Sequence, residues 1–76
     1  MGVSVEQASD RLLTLLMEDV SDTLSYIGEA ATGSSTAAAV WRIKRLNTIT
    51  GVELKFADGN VFFDNVWDDR ALLSYL

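Results

Sequence analysis

Asp58, Asn60, Asp64, Asp68 and Asp69 place five side-chain oxygen donors within twelve residues, and a cluster of this kind suits two chemistries. The first is binding of a hard cation such as calcium, which takes several oxygen ligands from one loop. The spacing departs from the helix-loop-helix calcium loop: no ligand follows Asn60 at the next alternate position, and no glutamate closes the set. The second is glycoside hydrolysis, in which one carboxyl group acts as acid and another as base or nucleophile across a cleft. A chain of 76 residues leaves little room for such a cleft, and adjacent Asp68 and Asp69 would point apart on a strand. Turn chemistry accounts for each of these residues separately, because short polar side chains bond their own backbone and tolerate tight bends.

Other catalytic sets lack a necessary member. There is no cysteine, which excludes disulfides and thiolate metal sites, and no histidine, the commonest general base and zinc ligand. Ser9, Ser34 and Ser35 therefore have no imidazole to activate them. Gly28 and Gly33 lack the lysine and the spacing of a phosphate loop. The expectation is a protein that is not an enzyme and uses neither cofactor nor metal.

Charge narrows the partners. The net charge is −5, and it falls in the first 30 residues, where Glu6, Asp10, Glu18, Asp19, Asp22 and Glu29 stand against Arg11 alone. Binding a nucleic-acid backbone needs a basic face, and Arg42, Lys44 and Arg45 form too short and too well compensated a cluster to supply one. Leu12 to Met17 is far too short an apolar run to span a membrane, and the start lacks the basic region and apolar core of a signal peptide. The missing cysteines suit a cytosolic or virion setting. Neither nucleic acid nor membrane is expected as a partner. A chain this short has a marginal core, and with disulfides and zinc removed, the staple left to it is self-association or docking on another protein.

The elements that would position these residues follow from periodicity. Val5, Ala8, Leu12 and Leu15 or Leu16 recur at spacings of three and four, so residues 4–20 read as an amphipathic helix. Ser4 and Gln7 can form its capping box, and Glu6 suits the dipole at that end. Residues 23–30 read as a short strand, and residues 32–36 as a flexible polar loop. Trp41 and Ile43 alternate with Arg42 and Lys44, the period of a half-buried strand; the alternation breaks at Arg45 and Leu46, which predicts a β-bulge. After a turn over residues 47–51, Val52, Leu54 and Phe56 face one way and Glu53 and Lys55 the other, so opposite charges are expected to pair across this hairpin. Asp58-Gly59 predicts a tight hairpin turn, Val61 to Phe63 a returning strand, and Ala71 to Leu76 a last strand with Leu73 and Tyr75 on one face. The expected fold is mainly β within an α+β class. An N-terminal helix over residues 1–20 precedes a small antiparallel β-sandwich or barrel of four to five strands over residues 21–76.

Four segments carry a family signal. They are Tyr26-Ile27-Gly28-Glu29-Ala30-Ala31-Thr32-Gly33, Ala39-Val40-Trp41-Arg42-Ile43-Lys44-Arg45, Ala57-Asp58-Gly59-Asn60 and Phe63-Asp64-Asn65-Val66-Trp67-Asp68-Asp69-Arg70. Together they resemble short structural proteins of tailed bacteriophages and phage-like elements, over about Tyr26 to Tyr75. The resemblance implies a virion location, with assembly in the host cytoplasm, and brings no catalytic residues. The resulting expectation is a non-enzymatic virion structural protein, an assembly or attachment module of the tail, neck or fibre region that forms homo-oligomers and binds other virion proteins. The alternatives are a capsid decoration protein and a small intracellular regulator of a host protein. Leu12 and Leu16 on the helix stripe are interface candidates, with Trp41 and Trp67 as possible aromatic anchors that core packing explains better.

Overall fold

A computed structural model describes residues 13–76. The strands are β1 (Leu13–Ser21), β2 (Leu24–Ala31), β3 (Ala39–Asn47), β4 (Glu53–Phe56) and β5 (Asn65–Val66), followed by a 3-10 helix over Trp67–Leu72. All strand pairs are antiparallel; the order is β1-β2-β3-β4, with β5 alongside β3. The chain is mainly β, as expected. Its strands form one open meander and not a sandwich or barrel, since among the described residues no pairing joins β1 to β4.

Residues 13–20 correct the helix expected over 4–20. They form a strand that pairs with β2 from Leu13 opposite Ala31 to Asp19 opposite Ser25. The sequence Leu-Leu-Thr-Leu-Leu-Met-Glu-Asp-Val over residues 12–20 satisfies both periods: Leu12, Leu15 and Leu16 fit a helix stripe, while Leu13, Leu15 and Met17 fit a strand face. The ladder with β2 decides between them, as tertiary context commonly overrides local propensity. Residues 13–20 thus belong to the sheet and not to a separate N-terminal segment. The rest of the expected helix, with Leu12, lies outside the described residues.

The covered face of the sheet holds the core. Along the register, Leu16, Gly28 and Ile43 make one row and Glu18, Tyr26 and Arg45 the next. Trp67 lies directly on Gly28, where a β-carbon would overlap its ring, so only glycine lets the indole reach the sheet. The rings of Trp67 and Trp41 are 6.0 Å apart and tilted at 41°, an arrangement worth about 0.5–1.5 kcal/mol beyond the area it buries. Tyr26 and Tyr75 make a second pair at 5.7 Å.

The C-terminal segment closes this face, and here several expectations change. Val61 to Phe63 is irregular chain and not a returning strand, and residues 71–76 are the end of the 3-10 helix followed by a single bridge from Tyr75 to Ala57. The Asp58-Gly59 turn forms, with φ of 61° and 71°, the left-handed pair that a two-residue hairpin turn demands. Its exit leads away from β4: Asn60 Oδ1 accepts the Phe62 amide at 3.0 Å, a local turn that competes with strand pairing. The expected bulge at Arg45 and Leu46 is also absent, because β3 pairs in unbroken register with β2 and β4 through both residues. Arg45 takes its place on the covered face by laying its guanidinium 4.9 Å from the centre of the Tyr75 ring. The loop over residues 32–36 is tied down: the Ser35 carbonyl accepts the Trp41 indole N–H at 2.9 Å and the Thr36 carbonyl accepts the Asp68 amide at 3.1 Å.

Candidate docking surface

The aspartate cluster disperses in the fold. Asp58 sits in the turn, and Asp64 Oδ1 accepts a hydrogen bond from the Asn65 side chain at 3.2 Å. Asp68 and Asp69 occupy the first turn of the 3-10 helix instead of a strand, where acids suit the helix dipole. Among the described residues no three acidic side chains come together where they could hold a metal ion.

Both tryptophans are core residues. Trp41 is 1% exposed and Trp67 is buried beside it, so in the single chain both indoles serve the core. Leu16 is half-buried against the same cluster, on the covered face. Arg70 fixes the closing segment. Its Nε donates to Glu18 Oε1 at 2.8 Å, its Nη1 donates to the Trp67 carbonyl at 3.1 Å, and its guanidinium lies 4.6 Å from the centre of the Trp67 ring. The bond from Arg70 holds the Glu18 carboxyl below the usual carboxylate range. Tyr75 donates to the Arg70 carbonyl at 2.7 Å, and burial, aided by the neighbouring Tyr26, pushes its phenol up to about 12.

The opposite face of the sheet is where the structure places an unassigned surface. Its cross-strand rows are Leu15, Glu29 and Arg42; then Met17, Ile27, Lys44 and Phe56; then Asp19, Ser25, Leu46 and Leu54. Leu13, Leu15, Met17 and Leu54 are exposed there, and no described element lies over them. A charged ridge crosses the middle. Glu29 Oε1 accepts from Arg42 Nε at 3.0 Å and Nη2 at 2.8 Å, and Lys44 Nζ stands 3.6 Å from the same oxygen. The cation pairs expected across the β3–β4 hairpin form instead between β3 and β2, because the register sets Arg45 opposite Lys55 and Asn47 opposite Glu53. Arg42 also stacks 4.7 Å from the centre of the Phe63 ring. Phe63 joins Leu13, Ala31, Ser34 and Val40 around an open, mainly apolar depression of about 470 Å³.

Sequence reasoning missed this face because it assigned Leu13, Leu15 and Met17 to a helix. Leu13, Leu15 and Met17 do recur with a period of two, but Leu12 and Leu16 between and beside them obscure it, so the local signal fits either element. An apolar face crossed by an ionic ridge has the chemistry of a docking surface: nonpolar side chains can supply burial and the ridge can set register. Among the described residues, no helix is long and apolar enough to cross a membrane. No protein family, curated protein or solved structure matches the chain.

Proposed function

We propose that this chain is a non-enzymatic structural protein of a tailed-phage virion, an assembly or attachment module of the tail, neck or fibre region. The observation that carries the docking role is the open apolar face, a rigid sheet surface presenting Leu13, Leu15, Met17 and Leu54 to solvent. The phage address is supported by the resemblance over about Tyr26 to Tyr75. In this reading the tryptophan core and its closing segment make the sheet stiff, and the far side of the sheet meets neighbouring virion proteins or further copies of the chain. Partner contact then adds stability to a small core by mass action.

Mass spectrometry of purified particles tests the address. Presence at the low copy number of a tail or neck ring is the expected result. A copy number on the scale of the capsid shell would make it a decoration protein. Absence from particles would remove both virion readings and leave a regulator that binds a host protein.

A further inference from the structure

The outer edge of β1 is a long run of main chain with no strand beside it among the described residues. β1 ends the order β1-β2-β3-β4, and over its nine residues it pairs with β2 alone among the described residues. Proteins blunt such edges with short strands, charges, proline or bulges. The opposite edge is treated in that way: β4 has four residues and carries Glu53 and Lys55. The first part of β1, Leu13-Thr14-Leu15-Leu16-Met17, has no charge and no proline, and the register shift falls only near its end, between Asp19 and Ser21.

We propose that a second copy of this chain adds its own β1 to that edge, antiparallel about a two-fold axis, with Leu16 opposite the partner's Leu16. The strand is self-complementary in this register. Leu15 meets the partner's Met17, Thr14 meets the partner's Glu18 and Leu13 meets the partner's Asp19, so every acid faces an uncharged side chain. The two contacts between Leu15 and Met17 join the most exposed apolar side chains of β1, each 61% exposed in the single chain. Two competing arrangements are worse. A parallel in-register pair sets Glu18 on the partner's Glu18 and Asp19 on the partner's Asp19, and the antiparallel register centred on Glu18 opposes two carboxylates directly; like charges placed so are destabilising. Main-chain hydrogen bonds supply the attraction, as in other strand additions, and the apolar face continues across the joint. This inference deepens the self-assembly part of the proposed function and rests on it; particle composition tests the address and solution mass tests the contact, so each can fail alone.

The test is analytical ultracentrifugation of the full-length chain over a range of concentrations. A concentration-dependent dimer is expected. The double variant Leu15→Lys/Met17→Lys changes only exposed side chains, so it keeps the far-ultraviolet circular dichroism of the parent. It also sets lysine against lysine twice at the joint, which raises the dimer Kd about a hundredfold or more. The register has its own readout, because the chain contains no cysteine. Under mild oxidation an equimolar mixture of Leu15→Cys and Met17→Cys chains forms the mixed disulfide in preference to either homodisulfide. A chain that stays monomeric at every concentration overturns the proposal, as does a dimer indifferent to the two lysines or a preference for homodisulfides. Strong hydrogen-exchange protection along the β1 edge of a monomer also overturns it, by showing that the chain covers that edge with its own residues.

Discussion

The two faces of one sheet are built from the same strands and treated in opposite ways. On the covered face, Trp41, Ile43, Tyr26 and Ala30 are buried beneath Trp67 and Tyr75, and Arg70 fastens the closing segment to Glu18 on the far strand. On the open face, Leu13, Leu15, Met17 and Leu54 stay in water around the Glu29–Arg42–Lys44 ridge. Composition does not separate the faces, since both are largely apolar. What separates them, among the described residues, is whether a further segment lies over the sheet. The covered face carries the stability of the single chain, and the open face contributes little until something lies on it.

That contrast can be broken by substitutions. Trp41→Ala removes the centre of the covered face and costs about 3–5 kcal/mol, a large part of the roughly 5–15 kcal/mol that holds small domains folded. Urea unfolding should show it, alongside Leu54→Ser on the open face, which stays within about 0.5 kcal/mol. Equal losses from the two would abolish the distinction between faces. Gly28→Val comes next: its side chain meets the Trp67 ring, and overpacking of this kind costs about 1–3 kcal/mol, read as a lower denaturation midpoint.

Tyr75→Phe is smaller at neutral pH, about 1 kcal/mol for the lost hydrogen bond to the Arg70 carbonyl. Its pH dependence is more telling. The Tyr75 phenol is raised in the fold to about 12 from an unfolded value of about 10, so its contribution is complete below pH 10 and lost as pH climbs toward 12. Thermal melts between those values should therefore decline less steeply for Tyr75→Phe than for the parent; parallel declines would clear Tyr75 of that role. The smallest effect belongs to Glu18, whose carboxyl is lowered by Arg70. Its contribution is present above the ordinary carboxylate range and fades as pH falls through the lowered value, and Glu18→Gln should flatten that acid limb slightly.

Much of the covered face was legible in the sequence. The alternation of Trp41 and Ile43 with Arg42 and Lys44 gave β3, and Asp58-Gly59 gave its turn, because both signals are local. Long-range choices were not legible. Whether residues 13–20 fold as helix or strand depends on the ladder to β2, and nothing local links Arg70 to Glu18 across 52 positions. The break at Arg45 misled for a related reason. A cation on the inner face looks like a bulge until the Tyr75 ring that receives it is in place. The open face was lost with β1, since its apolar side chains were assigned to the wrong period.

The paired indoles have a practical consequence for anyone who follows this protein by light. Trp41 and Trp67 are the chain's only tryptophans, 6.0 Å apart and sealed on one side of the sheet. Their intrinsic emission reports whether the closing segment is seated. A ligand or neighbour arriving on the other side of the sheet makes no direct contact with them. Self-association through the apolar face touches neither indole, so it is expected to change their emission less than unseating the closing segment does.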